Sequence, residues 1–249
     1  MPQFLKRSDK PDLAYLKTQA TVTNKNYPTI IFLGGFRSDM QGTKAVFLEE
    51  KCKERGQAYV RFDYRGHGQS EGVFEEACIS EWADDAFDII QNCTDGPVML
   101  VGSSMGGWIS LLLAYQKRIN FHSFIGLAAA PDFTTWMEEK MSNEQSQSLE
   151  NNGYFDLPND YDEPYRISKK LIDDGRSNTL LDKDLEVNFP VRLIQGMQDK
   201  DVEWQIAHHI KNTISHDDVE VILLEEADHR LSSPDQLKTL DQTIEKLLK

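Results

Sequence analysis

The stretch PVMLVGSSMGGWIS, residues 97–110, runs from an aliphatic segment through a glycine- and serine-rich turn into another apolar segment. Residues 97–103 predict a strand buried on both faces, and Met105 to Lys117 predict a helix. Between them GSSMG, residues 102–106, fits G-x-S-x-G with Ser104 at its centre. Chance supplies roughly 0.1 such matches in a chain of this length, so the weight comes from position. A serine between strand and helix is the setting a nucleophile elbow requires. Such a turn strains its central residue and brings the flanking backbone so close that a Cβ would clash. Gly102 and Gly106 meet that demand, and Gly107 lets the new helix approach its neighbours. The Met105 N–H is left at a helix N-terminus, facing the same space as the hydroxyl. Ser103 faces away. The competing reading is a Gly/Ser turn with no chemistry.

The same alternation continues on either side. Strands are predicted at 28–35, 58–64, 121–129, 190–196 and 219–226, and helices at 42–55, 80–93, from about Glu203, and at the C-terminus, where Leu237, Leu240, Ile244 and Leu247 form one apolar face. "FLKR" and "AYLKTQA" suggest a leading hairpin. Near-continuous aliphatic strands between helices indicate an α/β fold, a mostly parallel central sheet with helices on both faces. Right-handed crossovers bring the strand C-termini to one edge, where ligands bind. The rhythm breaks at 131–188, a polar segment with two or three helical pieces and the anchors Trp136, Met137, Met141, Tyr154, Phe155, Tyr161 and Tyr165. We read 1–130 and 189–249 as the core and 131–188 as a small inserted helical cap (lid).

A serine hydroxyl needs a base. Of the six histidines, His229 follows the last aliphatic strand, on the edge where Ser104 is expected; the others, His67, His122, His208, His209 and His216, fall elsewhere. A histidine base needs a carboxylate to fix its tautomer and stabilise its cation. Asp199, in LIQGMQDKDVEW (193–204), lies just past another strand, with Asp201 as the fallback. The order Ser104, Asp199, His229 is that of α/β-hydrolases. In FLGGFRSDM, residues 32–40, Gly34 and Gly35 allow close approach, and the N–H of Phe36 is the expected second oxyanion donor beside Met105. Phe133, Trp136, Met137 and Met141 either line an apolar acyl slot or anchor the cap.

Composition narrows the alternatives. The net charge of −14 argues against nucleic acid as a partner, and no apolar run is long enough to span a bilayer. Cys52, Cys78 and Cys93 show no metal or disulfide spacing, and RFDYRGHGQSEG (61–72) is not a phosphate loop; in it, Asp63 and Arg65 tie loops together. We expect no metal and no cofactor. The N-terminal residues carry no secretory or transit pattern, which with the thiols points to the cytoplasm.

The segments GGF, GTKAVFLEE, RFDYRGHGQSEG, VGSSMGGW, QGMQDKDVEW and ADHR together resemble the α/β-hydrolase superfamily. More closely they are similar to the serine-esterase branch that includes the mitochondrial acyl-protein thioesterase, also described as an acyl-glucuronide esterase; PYRISKKLIDDG (164–175) has the look of that branch's lid. The resemblance implies Ser104 as nucleophile, Asp199 as acid, His229 as base, and Phe36 and Met105 as oxyanion donors. It departs where Gly34-Gly35 replaces His-Gly and Val202-Glu203 replaces Val-Pro. It implies a serine hydrolase acting on a small-molecule or acylated substrate, an ester or thioester, through an acyl-enzyme. The alternatives are a carbon–carbon bond hydrolase of the same fold and a non-catalytic binding module.

Overall fold

The computed structural model describes residues 1–22, 27–158 and 164–249. In chain order the elements are β1 (Gln3–Leu5), β2 (Leu13–Thr18), β3 (Thr29–Leu33), α1 (Thr43–Arg55), β4 (Tyr59–Phe62), α2 (Ile79–Cys93), β5 (Val98–Ser103), α3 (Met105–Tyr115) and β6 (Phe121–Leu127). Then come α4 (Phe133–Glu139), α5 (Asn143–Asn152), β7 (Tyr154–Leu157), β8 (Tyr165–Ser168), α6 (Lys169–Ser177), β9 (Leu185–Glu186), β10 (Val191–Gly196), α7 (Gln205–Thr213), β11 (Ile214–Ser215), β12 (Val219–Leu224) and α8 (Pro234–Leu247).

The main sheet has the order β1-β2-β4-β3-β5-β6-β10-β12. β1 and β2 pair antiparallel at one edge, as the leading hairpin predicts, and β4 to β12 run parallel. Strand alternation explains the two-sided burial. Ile30, Phe32, Met99 and Val101 face a layer containing Ala45, Leu48 and Cys52 of α1 and Leu240 and Ile244 of α8. Ile31, Leu33, Val98 and Leu100 face the layer of α2, α3 and α7, where Trp82 and Trp108 are wholly buried. Each helix thus hides its apolar stripe on one side of the sheet.

The chain winds one way from β3 to β4 and the other way from β3 to β5. The loops leaving β3 and β5 therefore diverge at adjacent strand ends, and the crevice between them is where open α/β sheets bind ligands.

Residues 131–188 leave the sheet after β6 and return at β10. The sequence predicts two or three helical pieces there, and three are present, α4, α5 and α6. The antiparallel ribbon of β7 and β8 is an addition that a helical reading missed, since each strand is only four residues long. Trp136, Met137, Met141 and Tyr165 pack against the core, and Phe155 is buried; Tyr161 lies outside the described residues.

The turn after β4 is held by carboxylates. Asp63 accepts from the N–H of Met40 at 2.6 Å and of Gln69 at 2.8 Å. The wholly buried Asp85 of α2 accepts from the Arg65 guanidinium and from Arg7, both at 2.7 Å. The loop that superficially suggests phosphate binding thus spends its arginine on an internal anion, which at the same time ties the N-terminal residues to α2. All three cysteines are buried and free.

Candidate active site

Ser104 joins β5 to α3 at φ 52°, ψ −117°, a conformation that costs a non-glycine residue about 1–3 kcal/mol. The surroundings hold it there. Its N–H donates to the Leu127 carbonyl at 2.9 Å, and its carbonyl accepts from the N–H of Gly107 at 2.8 Å and of Ala130 at 3.1 Å. A Cβ on Gly102 would lie 2.4 Å from the Gly106 carbonyl oxygen, and one on Gly106 would lie 2.1 Å from that of Leu33. The elbow can form only because both positions lack a side chain.

Of the two glycines after β3, Gly34 has open space where a Cβ would lie, and a Cβ on Gly35 would meet the Ser104 Cβ at 3.4 Å, an ordinary van der Waals contact. The expectation that these two glycines allow a close approach is corrected: a side-chain carbon would fit at either position. Phe36 follows, its ring set edge-on to Phe74 at 4.9 Å and Phe133 at 5.5 Å. Among the described residues, the N–H groups of Phe36 and Met105 donate to no acceptor in the loop and side-chain hydrogen bonds, and Met105, as first residue of α3, has no intrahelical acceptor.

Asp199 and His229 come from the turns after β10 and β12. The Ala227 carbonyl accepts from the N–H of Gln198 at 2.9 Å, which clasps the two turns together. His229 Nδ1 lies 2.8 Å from Asp199 Oδ2. The same carboxylate accepts from Gln195 Nε2 at 2.9 Å, and through Oδ1 from the N–H groups of Asp201 and Val202, each at 2.9 Å. The Asp199 side chain is fully buried. Burial alone would raise its pKa, but the His229 hydrogen bond and the Val202 and Asp201 N–H groups outweigh that, and it lies below the usual carboxylate value. The fallback, Asp201, is exposed and contributes only its N–H. Asp199, Asp201 and His229 place ligand atoms within 4.8 Å of one another, so an ion there would compete with the carboxylate–imidazole bond.

Ser104 and His229 border the same two cavities. No hydrogen bond joins the hydroxyl to the imidazole among the described residues; such contacts commonly tighten only when substrate is bound. One cavity, of about 440 Å³, is largely apolar and is lined by Phe133, Trp136, Met137, Phe155, Leu157 and Tyr165. For Phe133, Trp136 and Met137 the sequence left lining a slot and anchoring the cap as alternatives; they border this cavity and also belong to or pack on the core. Met141 is not among its lining: α4 ends at Glu139, the Met141 N–H turns back to the Glu138 carbonyl, and the side chain packs on the core. Phe155, Leu157 and Tyr165 were missed because they sit on the unforeseen ribbon. The other cavity, of about 500 Å³, has a mixed lining in which Phe32 and Phe36 stand beside Arg37, Lys44 and several hydroxyls.

His67 has a structural place. It is 4% exposed, packed between Tyr64, Phe74 and Trp82, and burial pushes its pKa down to about 4.

A family profile described as serine aminopeptidase, S33, matches residues 25–151. Bovine and human palmitoyl-protein thioesterase ABHD10, named as mitochondrial, are each 36% identical over 247 residues, covering 98% of this chain and 79% of the relative. Mouse α/β-hydrolase domain-containing protein 10 superposes with a TM-score of 0.89 at 35% identity, covering 100% of this chain and 98% of that one. A hydrolase from Agrobacterium vitis S4 gives 0.93 at 33% identity, covering 100% and 99%. The mitochondrial names overturn the cytoplasmic expectation. Free buried thiols and an acidic surface suit any reducing compartment, so the residues behind that expectation do not separate one from another.

Proposed function

The chain belongs to the α/β-hydrolase superfamily and is a serine hydrolase, and from that premise we propose that Ser104, Asp199 and His229 form its catalytic triad. Ser104 Oγ attacks the carbonyl carbon of an ester or thioester while His229 Nε2 takes its proton. Asp199 keeps the other ring proton on Nδ1 and stabilises the imidazolium. The N–H groups of Phe36 and Met105 hold the oxyanion, each contributing on the order of 3 kcal/mol to the transition state. Collapse returns the proton to the leaving oxygen or sulfur. Water, deprotonated by His229, then frees the acid and regenerates the serine. The observation that carries this reading is the 2.8 Å bond between a fully buried carboxylate and the imidazole that borders the same cavities as Ser104.

The apolar cavity serves as the acyl site, and residues 131–188 act as the cap that builds it. In support, all six aromatic and aliphatic side chains named above come from α4, β7 and β8, and similar proteins are named palmitoyl-protein thioesterases. Acylated substrates, thioesters included, follow from this reading. The test is to label the protein with a fluorophosphonate and to measure hydrolysis of acyl thioesters, acyl esters and an aminoacyl amide of graded chain length. Labelling and turnover that Ser104→Ala abolishes, with acyl thioesters or esters preferred to the amide, are expected. A folded protein that is neither labelled nor active would overturn the reading.

A further inference from the structure

Phe36, whose N–H is assigned to the oxyanion, stands in a tight turn. Across it the Ser38 N–H donates to the Gly35 carbonyl at 3.1 Å. Of the four residues 35–38 only Arg37 has a positive φ, 57°. A turn with positive φ at its third position alone is type II, and that position favours Gly or Asn. An arginine there is strained, and strain of this kind persists only where the surroundings over-determine it.

The Arg37 side chain supplies those surroundings. Its guanidinium lies 4.0 Å from the centre of the Phe74 ring and 5.1 Å from that of Tyr165, and Nη2 donates to Glu75 Oε1 at 2.7 Å. Phe74 and Glu75 belong to a single 3₁₀ turn of the core, Phe74–Glu76, and Tyr165 to β8 of the cap. The Phe36 ring meets the same groups, edge-on to Phe74 at 4.9 Å, Trp82 at 6.0 Å and Tyr165 at 6.4 Å. Two consecutive side chains thus grip one aromatic cluster. The main chain that carries the Phe36 N–H runs between that grip and β3, which the sheet holds fixed. The pair of Arg37 with Glu75 is 30% and 36% exposed, so as a surface ion pair it adds little to stability. Its effect is geometric: an oxyanion donor acts only if it points at the place where the charge develops.

We propose that Arg37 is a positioning residue for the oxyanion donor: stacked on Phe74 and Tyr165 and paired with Glu75, it holds the 35–38 turn in the strained form that places the Phe36 N–H. It acts through the main chain of its neighbour. The proposal rests on the reading of Ser104 as nucleophile and Phe36 as donor.

Arg37→Met keeps an apolar stem against the rings and removes the guanidinium, so the strained angle loses what holds it. Hexanoyl thioester turnover is measured for wild type, Arg37→Met, Glu75→Gln and the double variant, with two inhibitors. One is hexyl trifluoromethyl ketone: Ser104 Oγ adds to its carbonyl carbon, the serine proton passes to His229, and the hemiketal oxyanion occupies the hole. The other is hexanamide, which fills the acyl site and carries no oxyanion. In Arg37→Met kcat should fall about tenfold, less than the loss of a whole donor, while KM stays within about twofold, the mark of an interaction made only in the transition state. The Ki of the ketone should rise about tenfold and that of hexanamide stay within about twofold. The melting temperature should stay within about 3 °C of wild type. Glu75→Gln should lose about threefold in kcat, and the double variant no more than Arg37→Met alone, because the two side chains act as one unit.

Should Arg37→Met fail to fold, Glu75→Gln carries the same comparison: a parallel threefold change in kcat and ketone Ki supports the proposal, and no change in either overturns it. A folded Arg37→Met with wild-type kcat and ketone Ki overturns it. So does a variant in which KM and the hexanamide Ki shift as far as the ketone Ki, since the acyl wall and not the donor has then moved. Both results keep the hydrolase reading, which Ser104-dependent turnover by wild type supports separately. Wild type that neither turns over the thioester nor reacts with the ketone or a fluorophosphonate removes both.

Discussion

Replacing Asp199 by asparagine tests the proposed triad without changing side-chain shape. Oδ1 faces two backbone N–H groups, of Asp201 and Val202, while Oδ2 faces Gln195 Nε2 and His229 Nδ1. An asparagine keeps its oxygen towards the two backbone donors, which cannot rotate away, and turns its amide NH₂ towards His229. The imidazole then accepts at Nδ1 and carries its proton on Nε2, the atom that must be free to take the serine proton. Restoring the productive tautomer costs about 1.5 kcal/mol, the scale of one hydrogen bond. The imidazolium of the transition state also loses a carboxylate. Two opposite charges about 4 Å apart attract by about 4 kcal/mol at the effective dielectric of such a site. The sum, about 5.5 kcal/mol, is on the order of a 10⁴-fold loss of kcat at 1.36 kcal/mol per decade. The assay is hydrolysis of a hexanoyl thioester by wild type, Asp199→Asn and Asp201→Asn, with thermal melts to verify folding. Asp201→Asn should lose less than threefold, because its carboxylate accepts nothing from the imidazole. A loss under tenfold for a folded Asp199→Asn, or equal losses for both variants, would refute the reasoning.

Three further outcomes are expected. Gly106→Ala should destabilise the fold by about 2 kcal/mol, since the added carbon falls 2.1 Å from the Leu33 carbonyl oxygen, and should depress kcat as well; a melt and a rate matching wild type would contradict the crowding. Asp85→Leu leaves the Arg7 and Arg65 guanidinium groups facing a dry apolar wall and should cost about 3–5 kcal/mol, read as a fall in Tm of roughly 10 °C. His67 has a folded pKa of about 4 against about 6.5 when unfolded. Between those values the unfolded chain binds a proton that the folded chain refuses, so stability falls as pH drops through that window, by up to about 3 kcal/mol. His67→Gln should flatten that slope in urea melts at pH 6.5 and 4.5. The raised carboxyls of Asp63 and Asp132 act in the opposite sense in both proteins and cancel in the comparison; parallel slopes would discount His67.

What the sequence discloses here depends on how local the cause is. The elbow was legible because its constraint lies within five residues: Gly102 and Gly106 are demanded by the turn around Ser104. His229 could be placed because a residue just past an aliphatic strand must emerge at that strand's C-terminal edge. The choice of Asp199 over Asp201 depended on the turn after β10, and the structure shows Asp201 lending its N–H where Asp199 lends its carboxylate. Long-range pairings left no local trace. Nothing near Arg7 announces Asp85, 78 positions away, and the β7–β8 ribbon pairs strands too short to show a period. The sequence therefore offered candidates for the apolar cavity only on its α4 side and none on its ribbon side, and of the two alternatives left open for Met141 the structure shows packing on the core, because the helix stops before it.

The contact of Gly106 with the last carbonyl of β3 has a consequence for how the site keeps its dimensions. The 34–36 loop and the 104–105 turn are about seventy positions apart in the chain, yet the spacing between them is gauged by main chain resting on main chain. Side chains nearby can drift in size and polarity, altering which molecules are admitted, while that gauge stays fixed. Tolerance of change at the walls and intolerance at the hinge-stone are thereby built into one small patch of backbone.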